Sequence, residues 1–166
     1  MVYQEPYSDR VSDVEPGWSG GDPDAVTGWT LVRAGHVIAR RFTETLARAG
    51  LTPTQFGVLV QLSTRPGVSQ AQLARSVLVT PQSIGELLAS LERLGYVTRT
   101  PGPRGTATAV ALTVRGRDAL GRATPLVTAM NTPAALGLTP EEDTTLNALL
   151  HKVIGATGRP GHGAGG

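Results

Sequence analysis

The sequence predicts a mainly α-helical fold with one small β-hairpin, and three observations support this prediction. Apolar residues recur at helical spacing in several segments between residues 27 and 155. Two short runs rich in Thr and Val, residues 96–99 and 106–112, read as strands on either side of a Pro/Gly-rich tip. Ser or Thr capping residues, often followed by Pro, precede the helical runs. Helices on both sides of one hairpin are therefore expected.

The first two helices have clear boundaries in the sequence. The first covers residues 27–49 and ends at Gly50. Its apolar stripe consists of Leu31, Ile38, Phe42 and Leu46. Thr52 caps the second helix, Pro53 takes the first helical position, where a missing N–H costs nothing, and Gln55 returns a bond to the cap.

Two further helices are separated by a short turn. Ser69 and Gln72 form a second capping box that opens a short helix. After a turn at residues 77–79, Thr80 and Pro81 open a longer helix. Its predicted inner stripe is Ile84, Leu87, Leu88, Leu91 and Leu94. At 100° per residue, the opposite face carries Gln82, Glu86, Ala89 and Arg93, flanked by Ser83 and Gly85.

The hairpin and two C-terminal helices complete the predicted order. Residues 101–105 form the turn between the two strands, and Thr113 begins a helix that contains Gly116, Gly121 and Pro125. Residues 131–138 are predicted as a loop, and Thr139 caps a last helix. Its inner face carries Leu146, Leu149, Leu150 and Val153. Helix, turn, helix and hairpin in this order define a winged helix-turn-helix, whose main use is to bind duplex DNA.

The two ends of the chain differ in composition from the middle. Residues 1–26 are predicted as a disordered acidic arm and residues 156–166 as a disordered Gly-rich tail, because neither has an apolar period. The domain between them covers residues 27–155, with the winged helix at residues 51–113.

Charge is distributed unevenly along the chain. Residues 1–25 hold six acidic residues and one basic residue, a net charge of −5, although the whole chain carries +2. Residues 65–122 hold eight arginines against three acidic residues, a net charge of +5. A polyanionic partner requires such a concentration of positive charge, and a solvated basic surface is the alternative.

Composition excludes several classes of protein. The chain has no cysteine, which excludes disulfides and thiolate metal sites, and no apolar run long enough to span a membrane. No secretory signal is visible, so a cytoplasmic location is expected. His36, His151 and His162 fall on separate elements without metal-ligand spacing, and no nucleophile elbow or phosphate loop is present. We therefore predict no enzyme activity, no cofactor and no metal site. Because only 4% of residues are aromatic, binding to single-stranded nucleic acid is disfavoured.

Five phrases, in this order, resemble the MarR family of bacterial transcription regulators over roughly residues 27–155. They are LTPTQFGVL (51–59), SQAQLA (69–74), VTPQSIGELLASLERLGYV (79–97), LTVRGRDAL (112–120) and LTPEE (138–142). The resemblance implies a homodimer with two DNA-binding winged helices, in which residues 27–49 and 113–155 supply the dimerisation helices. It also implies a small aromatic or phenolic effector and, in many family members, repression of nearby genes.

The expected binding mode assigns roles to particular side chains. The N-terminal half of the helix that follows Thr80 enters the major groove, where Gln82 pairs with adenine, Ser83 with several base edges and Glu86 with cytosine. Arg104, in the wing, reaches the minor groove. The candidates for contacts to the DNA backbone are Ser69, Gln70, Arg75, Thr80, Arg93 and Arg99. Dimer symmetry predicts a pseudo-palindromic operator with half-site centres roughly 34 Å apart.

The effector candidates are Trp29, His36, Arg40 and Phe56, because they lie on the two helices that border the pocket in the family. Two features depart from the family pattern: Glu86 stands where a basic residue is frequent, and the wing carries Arg104 alone and no Asp. These departures leave an alternative open, a winged helix that serves as a protein-interaction module with weak or no DNA binding.

Overall fold

A computed structural model describes residues 21–101 and 108–157, which form seven α-helices, one 3-10 turn and two strands. The helices are α1 Thr27–Ala47, α2 Pro53–Thr64, α3 Gln70–Ser76, α4 Pro81–Arg93, α5 Val114–Met130, α6 Pro133–Leu136 and α7 Pro140–Thr157. The strands are β1 Val97–Thr100 and β2 Ala109–Leu112. The chain divides into two units with the boundary between Arg41 and Phe42, inside α1.

In the first unit, a 3-10 turn at Pro23–Ala25 precedes α1. The Asp24 backbone N–H donates a 2.9 Å hydrogen bond to the Asp22 carboxylate, and Arg33 forms an ion pair with Asp24. This turn lies within the segment that the sequence predicts to be a disordered arm. A capping carboxylate and a proline at the first position give it local order.

The hydrophobic core of the second unit is built from the C-terminal end of α1, the inner faces of α2 to α5 and the two strands. Its fully buried members include Leu46, Leu59, Leu73, Ile84, Leu88, Leu91 and Val97. No charged or polar residue is buried in the part of the chain that the structure describes. This core holds the helix-turn-helix and the hairpin in one packed body.

The predicted helix starts are confirmed at atomic detail. The Gln55 N–H donates to the Thr52 hydroxyl at 3.2 Å, and the Thr52 N–H donates to the Gln55 side-chain oxygen at 3.0 Å. Ser69 and Gln72 form the same reciprocal pair at the start of α3. Such capping boxes satisfy backbone N–H groups that a helix cannot pair internally.

The hairpin pairs β1 with β2 in antiparallel register, with Val97 opposite Leu112 and Thr100 opposite Ala109. Val97 and Val110 are buried against the core, whereas Thr98 and Ala109 are exposed. The tip of the wing, residues 102–107 with Arg104, lies outside the described residues.

Three further predictions are corrected by the structure. The predicted inner face of α7 is not buried in the described chain, since Leu146, Leu149 and Val153 are all exposed.

Two more corrections concern shorter segments. The predicted loop at residues 131–138 contains the short helix α6, because Thr132 caps it, Pro133 starts it and Gly137, at φ +76°, ends it. Leu94, predicted on the inner stripe of α4, is 38% exposed, because α4 ends at Arg93 and the chain turns away at Gly95 with φ +71°.

A close backbone contact fixes the start of α5 against the end of α4. The Thr113 N–H and hydroxyl both donate to the Tyr96 carbonyl, at 3.1 and 3.2 Å. A Cβ on Gly116 would lie 2.0 Å from that same carbonyl oxygen. Only glycine permits this approach, so Gly116 is required by tertiary packing.

Candidate nucleic-acid interface

The turn between α3 and α4 is held by backbone hydrogen bonds and by two inward-facing valines. The Val77 N–H donates to Leu73 at 3.0 Å and the Val79 N–H donates to Ala74 at 3.0 Å. Both valines pack against the core, and a Cβ on Gly57 of α2 would lie 2.9 Å from a Val77 methyl group. The close fit between α2 and this turn fixes the angle at which α4 leaves α3.

The N-terminus of α4 presents polar side chains to solvent. Thr80 caps it by accepting a 3.1 Å hydrogen bond from the Ser83 N–H, and Pro81 takes the first helical position. Gln82, Ser83 and Glu86 are exposed, while Ile84 and Leu88 are buried behind them. The structure therefore brings the three predicted base-contact residues together on one accessible face.

The hydroxyl groups of Thr80 and Ser83 are coupled. They lie 2.8 Å apart and share one hydrogen bond. In a groove, one of the two hydroxyls keeps a free donor or acceptor for a base or a phosphate. The two residues therefore act on a ligand as a pair.

The predicted backbone-contact residues differ in how available they are. Arg75 and Arg93, near the C-terminal ends of α3 and α4, are exposed. Ser69 and Gln70, at the start of α3, are half-buried, and the Ser69 hydroxyl donates to the Gln72 side chain at 2.9 Å. Ser69 therefore contributes mainly to capping α3.

Arg99 on β1 is half-buried, and its Nε is buried without a hydrogen-bond partner among the described atoms. Its strand partner is Val110, which is buried. Because this Nε is buried, a phosphate contact from Arg99 requires the terminal nitrogens of its guanidinium.

The start of α5 carries two arginines that the sequence analysis did not place in the site. Arg115 lies over the Tyr96 ring at 5.8 Å, and Arg117 donates a 3.1 Å hydrogen bond to the Leu112 carbonyl. Both are exposed, and both already have structural roles at the hairpin base.

Three arginines near the helix-turn-helix and the hairpin have no acidic partner among the described residues. Within the described ranges, no ion pair joins Arg75, Arg93 or Arg99 to a carboxylate. Exposed, unpaired arginines raise the local positive potential and favour a polyanion. Glu86 is the opposing feature, a carboxylate at the centre of the same helix face.

The predicted effector residues fall in both units. Trp29, His36 and Arg40 are exposed on α1, and their spacing of seven and four residues places them on one face of that helix. Phe56 lies on α2 in the second unit, partly buried against its core.

Membrane-spanning helices and metal sites are both absent from the described residues. No helix there is both long and apolar enough to cross a bilayer. No cluster of three or more His, Asp or Glu side chains there has the arrangement of a metal site.

Sequence reasoning missed Leu78, which lies in the turn between α3 and α4. Its φ is +56° and its side chain is 93% exposed. The only signal in the sequence is a leucine inside a tight turn, where glycine would be the default residue.

A helix-turn-helix followed directly by an antiparallel hairpin defines this protein as a winged-helix protein. The family model described as "MarR family" matches residues 49–105. The HTH-type transcriptional repressor Rv2887 of Mycobacterium tuberculosis is 35% identical over 131 residues, which cover 78% of this chain and 94% of that protein. The chain therefore belongs to the MarR family. This confirms the predicted family and the predicted fold class.

Solved structures agree with this assignment. The complex of the M. tuberculosis MarR family protein Rv2887 with DNA has a TM-score of 0.62 and 34% identity, and covers 77% of this chain and 97% of that one. CouR from Rhodococcus jostii RHA1 bound to p-coumaroyl-CoA has a TM-score of 0.69 and 26% identity, with 81% and 93% covered. Because the relatives are transcription regulators, the prediction that the chain is not an enzyme is also confirmed.

Proposed function

We propose that this protein is a sequence-specific regulator of transcription that binds double-stranded DNA as a homodimer and recognises a pseudo-palindromic operator. In this proposal it acts in the cytoplasm as a repressor whose activity responds to a ligand. The observation that carries the proposal is the N-terminal face of α4. There, exposed Gln82 and Ser83 lie in front of the buried Ile84 and Leu88. A relative of known structure, Rv2887, has been solved in complex with DNA.

In this proposal, α4 reads the major groove with side chains of complementary chemistry. The Gln82 amide forms two hydrogen bonds with adenine N6 and N7, and the coupled hydroxyls of Thr80 and Ser83 bind an adjacent base edge or phosphate. Glu86 accepts a hydrogen bond from cytosine N4, which converts its repulsion of phosphate into selection for a C·G pair.

Arginines around this face supply contacts to the phosphates. Arg75 and Arg93 are exposed and unpaired within the described residues, and the half-buried Arg99 is proposed as a further contact from the hairpin. Gln70 adds a polar contact at the start of α3, and Arg104 at the wing tip is proposed for the minor groove.

The proposed homodimer uses the exposed apolar stripe of α7. Leu146, Leu149, Val153 and Ile154 are 41%, 50%, 39% and 63% exposed. Burial of such a stripe is favourable in water. The same helix of a second copy presents a complementary apolar surface that can bury it. The other helices proposed to contribute are α1 and α5.

The operator is found by selecting bound duplexes from a random pool with the full-length protein. We expect a palindrome with half-site centres about 34 Å apart. The preference for one base at the position contacted by Gln82 should be lost in Gln82→Ala. It should be kept in Glu92→Ala, which changes an exposed residue near the other end of α4. A pool with no enriched sequence contradicts sequence-specific recognition.

Salt dependence separates DNA binding from the alternative, an interaction module for proteins. For about six phosphate contacts, affinity falls on the order of a thousand-fold between 50 and 200 mM salt. Weak binding with a flat salt dependence favours the interaction module, for which the exposed Glu86 on α4 is the supporting observation.

The proposed effector is a small aromatic or phenolic acid. Salicylic acid, in the structure of Rv2887, is a phenolic acid, and p-coumaroyl-CoA, in the structure of CouR, is a phenolic acyl thioester. On α1, the exposed Trp29 offers an aromatic surface, Arg40 offers a cationic group for a carboxylate, and His36 offers a ring nitrogen for a hydrogen bond.

A thermal-shift titration with salicylate tests the effector proposal. The melting temperature rises with ligand if the folded state binds it. Arg40→Ala is expected to reduce the shift, whereas Arg48→Ala, an exposed arginine just beyond α1, is expected to leave it unchanged. Absence of a shift across a panel of aromatic acids contradicts this part of the proposal.

A further inference from the structure

Leu78 combines a left-handed backbone conformation with an exposed apolar side chain. It is the only residue other than glycine with a positive φ, at +56°, among the described residues. At 93% exposure, it is also their most exposed large apolar side chain. A left-handed backbone is unfavourable for a residue with a Cβ. A leucine side chain that stays in water also contributes no burial free energy to folding.

The surrounding turn forces this conformation on residue 78. Val77 on one side and Val79 on the other both pack against the core, and backbone hydrogen bonds to α3 hold them in place. Glycine at this position would satisfy the turn without strain and without exposing an apolar side chain. A strained residue that the fold does not need is a reason to look for a function.

The position of Leu78 identifies the partner. It lies two residues before Thr80, which caps α4, and four residues before Gln82. A side chain this close in sequence to the start of α4, and fully open to solvent, is a candidate for contact with a duplex that receives that helix. Leucine has no donor for a phosphate, and the apolar group on the floor of the major groove is the 5-methyl group of thymine.

We propose that Leu78 contacts the 5-methyl group of a thymine beside the base pair read by Gln82, and so helps to determine operator specificity. The proposal rests on the proposed function, since it requires α4 to enter the major groove. It adds an apolar element to a reading face that otherwise consists of Gln82, Ser83 and Glu86.

The test uses the full-length protein and an operator duplex selected from the random pool. Each thymine is replaced in turn by deoxyuridine, which removes one methyl group and leaves the base pair intact. We expect wild-type affinity to fall about four-fold at one thymine, the effect of one buried methyl group. Leu78→Ala should lose a similar factor on the thymine duplex and show no further loss on the deoxyuridine duplex.

Two control variants address folding and position. Leu94→Ala removes a leucine that is 38% exposed just beyond the other end of α4, and it should bind both duplexes like the wild type. Leu78→Gly removes the side chain and also the backbone strain, so its melting temperature should rise while its affinity falls. A weakened but more stable variant cannot owe its weaker binding to unfolding.

The outcomes separate this proposal from the proposed function. If the wild type binds the operator with steep salt dependence but no deoxyuridine changes its affinity, the thymine contact is overturned and DNA binding stands. If Leu78→Ala weakens binding equally on both duplexes, Leu78 contacts the DNA backbone and the thymine contact is again overturned. If the wild type binds no duplex, the proposed function and this inference both fail.

Discussion

Helices α4 and α7 both carry a stripe of aliphatic residues, but only the stripe of α4 is buried in the described chain. Ile84, Leu88 and Leu91 of α4 are at most 1% exposed, covered by the rest of the second unit. On α7, Leu149 and Ile154 are 50% and 63% exposed. The apolar face of α4 is therefore satisfied within the chain, and its polar face is free for recognition. The apolar face of α7 remains exposed in the described chain and is the face proposed for the dimer.

The largest effect is expected from a cavity under α4. Leu88→Ala should lower the free energy of unfolding by about 4 kcal/mol, since a fully buried leucine loses its packing and leaves a void. Urea unfolding followed by circular dichroism measures the change. Leu149→Ala, on α7, is the matched variant. If both variants lost the same free energy of unfolding at low protein concentration, the two helices would not differ in how they are packed.

The second prediction tests how tightly the winged helix is assembled. Gly116→Ala should cost about 3 kcal/mol, because its Cβ would lie 2.0 Å from the Tyr96 carbonyl oxygen and the backbone must shift. Gly121→Ala on the same helix is the control, since a Cβ there meets nothing within 4 Å. It should stabilise the protein by about 0.5–1 kcal/mol through helix propensity. Thermal melts of the two variants that move in the same direction would contradict this interpretation.

These two glycines show where sequence reasoning stops. From the sequence, both are expected to weaken α5, because glycine has a low helix propensity. The structure separates them through one contact between residues twenty positions apart, which no local pattern reports. By contrast, the capping boxes at Thr52 and Ser69 were predicted correctly, since both partners lie within one turn.

In the candidate site, too, some features follow from the local sequence and others depend on tertiary packing. Exposure of Gln82, Ser83 and Glu86 follows from helical periodicity once the inner stripe is known, and the structure agrees. The conformation of Leu78 depends on how the valines beside it pack, so the sequence did not reveal it. The short α6 escaped prediction because Thr132 and Gly137 enclose only four residues, a pattern that also describes a loop.

The third prediction tests whether the apolar stripe of α7 forms part of the proposed dimer interface. Leu149→Glu places a charge within the apolar stripe and should weaken the proposed dimer by about a hundred-fold, or about 2.8 kcal/mol. Analytical ultracentrifugation over a range of concentrations measures the dissociation constant. Asn147→Glu adds the same charge at an exposed polar position of α7 and should leave the dimer intact. A monomeric wild type would refute the proposed dimer and leave the exposed stripe without an explanation.

The smallest effect is expected at the start of α4, where stability and recognition depend on the same hydroxyl. Thr80→Ala removes the acceptor for the Ser83 N–H and should lower stability by about 1 kcal/mol, a typical value for a lost N-cap. Thr80→Ser keeps the acceptor and should restore it. The alanine variant also leaves the Ser83 hydroxyl without its 2.8 Å partner, so its preference among operator bases should change. Loss of stability with unchanged preference would mean that Thr80 only caps the helix, and that Gln82 and Glu86 read the operator without the hydroxyl pair.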